Sequence, residues 1–221
     1  MARPATISPD QILLAAAVEF AERGYAGARV DRIARRARVN KAMLYYHFGS
    51  KRSLYRALLR QVFSRAADRL QTIAVAERSA DDKIGLVIET IAAFVREHAF
   101  FPAIMLREVA DGGVHLDADT LRALSRVPLA VGAIVQQGVD ARTVRPVHPM
   151  AAYFMMLAPI VFYLAGEPIR RELAARHLAD VASLTPDLFV QQLQQTVRLA
   201  FSPRKIRRRS HARSSVRRQR L

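Results

Sequence analysis

Between positions 41 and 52 the chain reads Lys41-Ala42-Met43-Leu44-Tyr45-Tyr46-His47-Phe48-Gly49-Ser50-Lys51-Arg52. Few other stretches concentrate so many side chains able to donate to an anion. A lysine can donate to the O6 and N7 atoms of guanine, and Ala or Met can pack against the thymine methyl group. Tyr45, Tyr46 and His47 can donate to phosphate oxygens. Ser50, Lys51 and Arg52 open a further helix, whose free N–H groups and dipole attract a phosphate. The chemistry on offer is recognition of a nucleic-acid duplex, not bond making or breaking.

Such groups act together only if a helix holds them on one side. Asn40 is a good cap for a short helix over Lys41–His47, which Gly49-Ser50 ends. Steps of about 100° per residue turn Leu44 inward and Ala42 and Tyr46 outward, with Met43 and Tyr45 flanking them. Upstream, Val30, Ile33, Ala34 and Ala37 form the inner face of a second short helix, about Val30–Ala37. Arg38-Val39-Asn40 joins the two tightly, so the pair is a helix-turn-helix candidate. A first helix precedes them. Ser8 is the expected cap, Pro9 the first residue and Gln11 the partner in a capping box; Ile12, Ala16 and Phe20 line one face, and Gly24 ends it. Ser50 caps a long fourth helix with Leu54, Leu58, Val62, Ala66 and Leu70 on its apolar side.

The charge is distributed in keeping with this. The 221 residues carry a formal charge of +16, drawn from 35 basic and 19 acidic residues. Residues 1–54 are net +6, residues 55–202 net +1 and residues 203–221 net +9. The excess therefore sits around the paired helices and in the last nineteen residues, where no apolar period continues and an Arg-rich disordered tail is expected. At 51% hydrophobic the rest of the chain can bury a core. There is no cysteine, which excludes disulfides, thiol catalysis and thiolate metal sites and suits a reducing, cytoplasmic setting. No nucleophile elbow, phosphate-cradling glycine loop or HExxH motif occurs, so no catalytic residue, no metal site and no cofactor is expected, and the reading is not an enzyme. The short apolar run Ile12–Val18 is bracketed by Asp10 and Glu19, which fits a helix core better than an export signal.

Downstream of a polar stretch at Glu77–Asp82, expected to mark a hinge between two halves, helical periodicity continues over about 82–98, 101–110, 117–140, 149–165, 168–178 and 186–201. Pro128 and Pro159 predict kinks or divided helices. No alternating strand pattern is evident, and the fold class is all-α. Met150–Ala165 carries no charge and needs cover on most sides. Together with Pro186–Phe201 it is the candidate for a four-helix dimer interface. The bulky apolar residues Phe94, Phe100, Phe101, Met105, Tyr153, Met156 and Phe162 are candidates for a ligand pocket, with ordinary core packing as the plain alternative.

The residues then show a resemblance. Ile12-Leu13-Leu14-Ala15-Ala16-Ala17-Val18-Glu19-Phe20-Ala21-Glu22-Arg23-Gly24-Tyr25 looks like the first helix of the tetracycline-repressor (TetR) family, and Val30-Asp31-Arg32-Ile33-Ala34 resembles its second. Lys41 to Lys51 is similar to its recognition helix and the start of its fourth. The likeness covers about residues 8–60. It implies an N-terminal helix-turn-helix DNA-binding domain over 1–54 and a helical ligand-binding and dimerisation domain over 55–202. It implies a transcription regulator, by family habit a repressor, that binds a palindromic double-stranded DNA operator as a homodimer and is released by a small-molecule effector, without a membrane. By that resemblance Lys41, Ala42, Met43, Tyr45, Tyr46 and His47 occupy DNA-contact positions and Lys51 a phosphate-contact position. Arg29 is a further candidate for a phosphate. The family often has Thr at Met43, and usually Gly at Arg38 and Thr or Ser at Ala28 and Arg29, so the usual cap of the second helix is lost, at about 1 kcal/mol if nothing replaces it. Two other readings use the same charge: a basic nucleic-acid-binding protein without operator choice, or a helical protein on a membrane surface.

Overall fold

The computed structural model describes residues 8–203. Ten helices follow one another: α1 (Pro9–Gly27), α2 (Val30–Ala37), α3 (Lys41–Phe48), α4 (Lys51–Val75), α5 (Ala80–Glu97), α6 (Phe101–Ala110), α7 (Ala118–Asp140), α8 (Pro149–Ala165), α9 (Glu167–Ala175) and α10 (Pro186–Phe201). No strand occurs among the described residues. Residues 204–221, which hold nearly all of the expected Arg-rich tail, lie outside them.

Most helix starts are fixed by capping side chains, of which Asn40 and Ser50 were expected from the sequence. Asn40 Oδ1 accepts from the Met43 N–H at 2.6 Å and Ser50 Oγ from the Ser53 N–H at 3.0 Å. Ser79, Asp117 and Thr185 cap α5, α7 and α10 in the same way. Such caps satisfy N–H groups that have no partner within the helix. Ser8 departs from the expectation. Its side chain makes no cap bond, because its backbone carbonyl already takes the Gln11 N–H at 3.0 Å in a tight first turn. Gly24 does break α1, at φ 67° and ψ 175°, and one more turn follows to Gly27. Pro128 and Pro159 lie inside α7 and α8 and divide neither helix.

Two clusters of buried apolar side chains hold the chain together. The first gathers Ile12, Ala16 and Phe20 of α1, Val30 and Ile33 of α2, Leu44 of α3, Leu54 to Phe63 of α4, Phe94 of α5 and Ile104 of α6. The second gathers Ala67, Leu70 and Ala74 of α4 with the inner faces of α5, α7, α8 and α10. Helix α4, about 37 Å long at the usual rise, therefore runs through both cores. Ala74 and Ile84 belong to the same cluster, so the largely exposed loop at 76–79 joins two helices of the second core and does not divide two halves. The hinge expected at Glu77–Asp82 is corrected accordingly. The C-terminal end of α4 is fixed by the buried Lys83, whose ammonium donates to the Ala74 carbonyl and to Gln137 Oε1, each at 2.8 Å.

The uncharged helix α8 is not covered all round. Ala152, Tyr153, Met156, Ile160 and Tyr163 face the core. Phe154, Met155 and Phe162 are exposed, Phe162 at 78%. No single helix among the described residues is long and apolar enough to cross a membrane.

Candidate nucleic-acid interface

Helix α3 is short, and one residue anchors it. Leu44 is fully buried among α1, α2 and α4, whereas Lys41, Ala42, Met43, Tyr45, Tyr46 and His47 are all exposed. Tyr46 is 85% exposed and meets the edge of the His47 ring at 5.3 Å. A wet helix face that presents two tyrosines gains nothing from the protein's own core. At the far end Gly49, at φ 73°, lets the chain turn out of α3 while its N–H closes on the Tyr45 carbonyl at 2.8 Å.

Not every cation of the region points outward. The Lys41 ammonium meets Asp31 Oδ1 at 3.0 Å, and this bond raises its pKa from the ordinary lysine value. Both groups are about half exposed, so the pair ties α3 to α2 loosely and can be exchanged for an outside anion. Lys51, expected on a phosphate, is turned inward. Its ammonium donates to the carbonyls of Ala28 at 3.0 Å and Ala26 at 3.3 Å and stands 4.6 Å over the Tyr25 ring. Burial holds its pKa below the usual lysine range. The carbonyls between α1 and α2 and the ring face supply sheltered partners, so Lys51 braces the start of α4 against that connection.

The missing cap of α2 is replaced from a distance. Arg29 occupies the cap position without a side-chain cap bond. Its backbone N–H donates instead to Glu19 Oε1 at 3.1 Å, and the Arg32 Nε donates to the same oxygen at 2.6 Å. Glu19 is 1% exposed. Burial pushes its carboxyl upward in pKa, but the Arg32 bond, the Arg29 N–H and the nearby Arg32 and Arg23 charges outweigh burial and hold it below the ordinary value. Sequence reasoning missed this residue. The signal was present: Glu19 falls three residues after Ala16 and seven after Ile12, on the buried stripe of α1, where an acid requires a partner.

A second buried acid joins the helix-turn-helix to the rest of the chain. Glu108, on α6 and 2% exposed, accepts from the Tyr55 hydroxyl at 2.8 Å and from the His115 N–H at 3.0 Å, and its Oε2 lies 3.0 Å from His115 Nδ1. The His115 ring lies 3.9 Å from that of Tyr25, and the Arg56 Nε donates to the His115 carbonyl at 2.8 Å. Burial and the Glu108 carboxylate push the Tyr55 phenol far above its usual range. The spacing Ile104–Glu108 would have marked an acid on an inward face. Its partner on α4, Tyr55, lies 53 positions away and left no local trace.

The residues proposed to line a pocket do not all come together. Phe94 is buried in the first core with His98 stacked on it at 4.2 Å, and Phe101 meets the Phe63 edge at 5.5 Å. Phe100 and Met105 pack on the same cluster. Tyr153 and Met156 belong to the second core, where burial pushes the Tyr153 phenol up to about 12. Phe162 faces outward and cannot line an interior cavity of its own protomer. A cleft of about 400 Å³ between α5 and α10, lined by Arg78, Asp81, Glu89, Gln194 and Arg198 among others, includes none of these residues.

Comparison with known proteins agrees with this geometry. Residues 12–58, which hold α1 to α3 and the start of α4, match the family described as bacterial regulatory proteins, tetR family. The transcriptional repressor NicS of Pseudomonas putida is 26% identical over 182 residues, covering 81% of this chain and 86% of that protein. The transcriptional activator FasR of Mycolicibacterium smegmatis is 51% identical over 51 residues, 23% of each chain. The solved structure of a TetR-like transcriptional regulator from Rhodococcus sp. RHA1 shares the fold, with a TM-score of 0.63 at 17% identity over 89% of this chain and 96% of that one. With its recognition helix exposed and its motifs in order, the chain belongs to the tetR family of bacterial regulatory proteins and is a DNA-binding transcriptional regulator.

Proposed function

We propose that this regulator is a homodimeric repressor that leaves a palindromic operator when a small molecule binds its second domain. The observation that carries the reading is the outer face of α3, where Lys41, Ala42, Met43, Tyr45, Tyr46 and His47 are exposed around the buried anchor Leu44. A helix so mounted can enter a major groove, with Lys41 at its N-terminal end near base edges and the tyrosines near phosphates. In this reading residues 1–54 are the DNA-binding unit and 55–202 the ligand and dimer unit, with α4 as a beam shared by both. The protein works in the cytoplasm, and its chemistry is binding, not catalysis. Repression is adopted from the relative that matches over most of its length, NicS.

The dimer face is assigned to α8 and α10. Met150, Phe154 and Phe162 fall four or eight residues apart on α8 and are exposed, as are Leu188 and Leu199 on α10. Apolar residues spaced in this way form one stripe, which a second copy would cover. For the effector, Phe94, Phe101, Met105, Tyr153 and Met156 remain the proposed wall residues, acting after some rearrangement between the two cores. The Glu108–Tyr55–His115 cluster is the proposed joint through which such a rearrangement moves α4 and hence α3.

Selection of bound duplexes from a random library at physiological salt tests the core of this reading. A two-fold symmetric consensus is expected, and Lys41→Ala should relax base choice in each half-site by about 1–3 kcal/mol. Equal binding of all duplexes would replace the reading with that of a basic protein without operator choice.

A further inference from the structure

Two exposed arginines hold a left-handed backbone. Arg38 has φ 56° and ψ 39° in the turn between α2 and α3, and Arg142 has φ 58° between α7 and α8. An L residue pays for that conformation, because its Cβ crowds the following carbonyl. A strained backbone persists where the surroundings enforce it, and such sites gather at ligand contacts. The two arginines are alike in strain, charge and exposure. They differ in what lies beside them.

Arg38 stands two residues before the Asn40 cap of α3, at the entrance to the helix that faces outward. Four cations nearby are already engaged: Arg32 with Glu19, Arg36 with Glu22, Lys41 with Asp31, and Lys51 with two carbonyls, whereas Arg35 and Arg52 are exposed without an ion pair among the described residues but lie on regular helix. Arg38 forms no ion pair among the described residues, and its backbone N–H closes on the carbonyls of Ala34 and Arg35. The turn is thus fixed by main-chain bonds while the side chain is left to solvent.

We infer that Arg38 is a phosphate contact of the DNA complex, set at the entrance of α3 by its left-handed backbone. A guanidinium presents a planar fork of donors that matches two phosphate oxygens, and it keeps its charge at any working pH. The contact positions the duplex without reading bases, and it supplies part of the backbone grip that the inward-turned Lys51 does not offer. The inference rests on the reading that α3 enters the major groove.

The experiment measures Kd against salt for the full chain on its selected operator and on random duplex. Parent, Arg38→Gly, Arg38→Asn and Arg142→Gly are compared. Losing one phosphate contact lowers the log–log slope by about 0.9 for each copy of the chain on the duplex. Both Arg38 variants should show this fall on both duplexes with base preference intact. Agreement between Gly and Asn assigns the effect to the guanidinium, since both residues accept the left-handed backbone. Arg142→Gly removes the same charge and the same strain away from α3, so its slope should equal the parent's. The glycine variants should melt no lower than the parent, which separates lost contact from lost fold. An unchanged slope in the Arg38 variants, with selective binding by the parent, overturns this inference alone. An equal fall in Arg142→Gly overturns it in favour of a net-charge effect. A parent that prefers no duplex overturns the operator reading and this inference together.

Discussion

Helices α3 and α8 both turn aromatic residues to solvent, and they do so with different chemistry. On α3 the exposed rings are Tyr45, Tyr46 and His47, each ending in a polar atom, with Lys41 beside them. On α8 the exposed rings are Phe154 and Phe162, with methionines beside them and no charge on the helix. A tyrosine face can exchange water for phosphate oxygens, whereas a phenylalanine face gains only by leaving water. The same exposure thus points to a polyanion in one place and to an apolar partner in the other. The supports differ too. Beside α3, helices α1 and α2 are joined by a buried charge-assisted bond through Glu19, and Glu108 ties α4 to α6 and the loop that follows it. The second core is mostly apolar packing, with Lys83 as a buried ammonium held by a carbonyl and an amide.

The largest effect on folding is expected where α3 meets its core. Leu44→Ala removes a fully buried side chain and should cost about 2–5 kcal/mol in denaturant unfolding. Tyr46→Ala, two residues later and 85% exposed, should change stability by no more than about 0.5 kcal/mol while weakening DNA binding. If the two variants lose comparable stability, α3 is not the thinly anchored, outward-facing helix described above.

Glu19→Gln comes next. The amide keeps an acceptor for the Arg29 N–H but loses the charge opposite Arg32. Hydrogen bonds to charged groups contribute about 1.5–3 kcal/mol, and the loss at neutral pH should approach that range. The sign with pH follows from the depressed carboxyl. Because its folded pKa lies below the ordinary 4.5, its contribution is fully present above that value and disappears as pH falls through the folded value. Parent and variant should therefore converge in acid and differ most at neutral pH. A constant gap between their unfolding curves from neutral pH into acid would show that Arg32 holds no charge-dependent bond.

These contrasts also explain how far the sequence could be read. The start of α3 was legible because its determinants are neighbours: Asn40 caps it, Leu44 anchors it and Gly49 ends it, all within ten positions. Beyond residue 100 the helix bounds were legible from apolar periodicity, and the structure adds Asp117 and Thr185 as the caps of α7 and α10. The inward turn of Lys51 was not, because its partners Ala26 and Ala28 lie 25 and 23 residues away. Nor was the split of the pocket residues. Phe94 and Tyr153 have the same apolar character, and only the packing of whole helices sends them to different cores. Which side of α8 would be wet was likewise undecided, since its residues are apolar all round and carry no amphipathic signal.

The smallest expected effect on folding belongs to α8, and it bears on the comparison most directly. Phe162 is 78% exposed in the single chain, so Phe162→Ser removes little packing within the protomer; the protomer's own stability should shift by about 0.5 kcal/mol or less. If a second copy covers this stripe, the loss appears only in association. Sedimentation should then move from dimer toward monomer, and the melting temperature of the parent should rise with protein concentration more steeply than that of the variant. Val109→Ser on α6, at a position 71% exposed and outside α8, is the matching control and should leave association unchanged. A Phe162→Ser chain that sediments as the parent does would leave the apolar stripe of α8 without its assigned partner, and the dimer face would have to be sought on α10 or α7. The contrast with α3 would then rest on chemistry alone, because the wet phenylalanines would no longer mark the place where two copies meet.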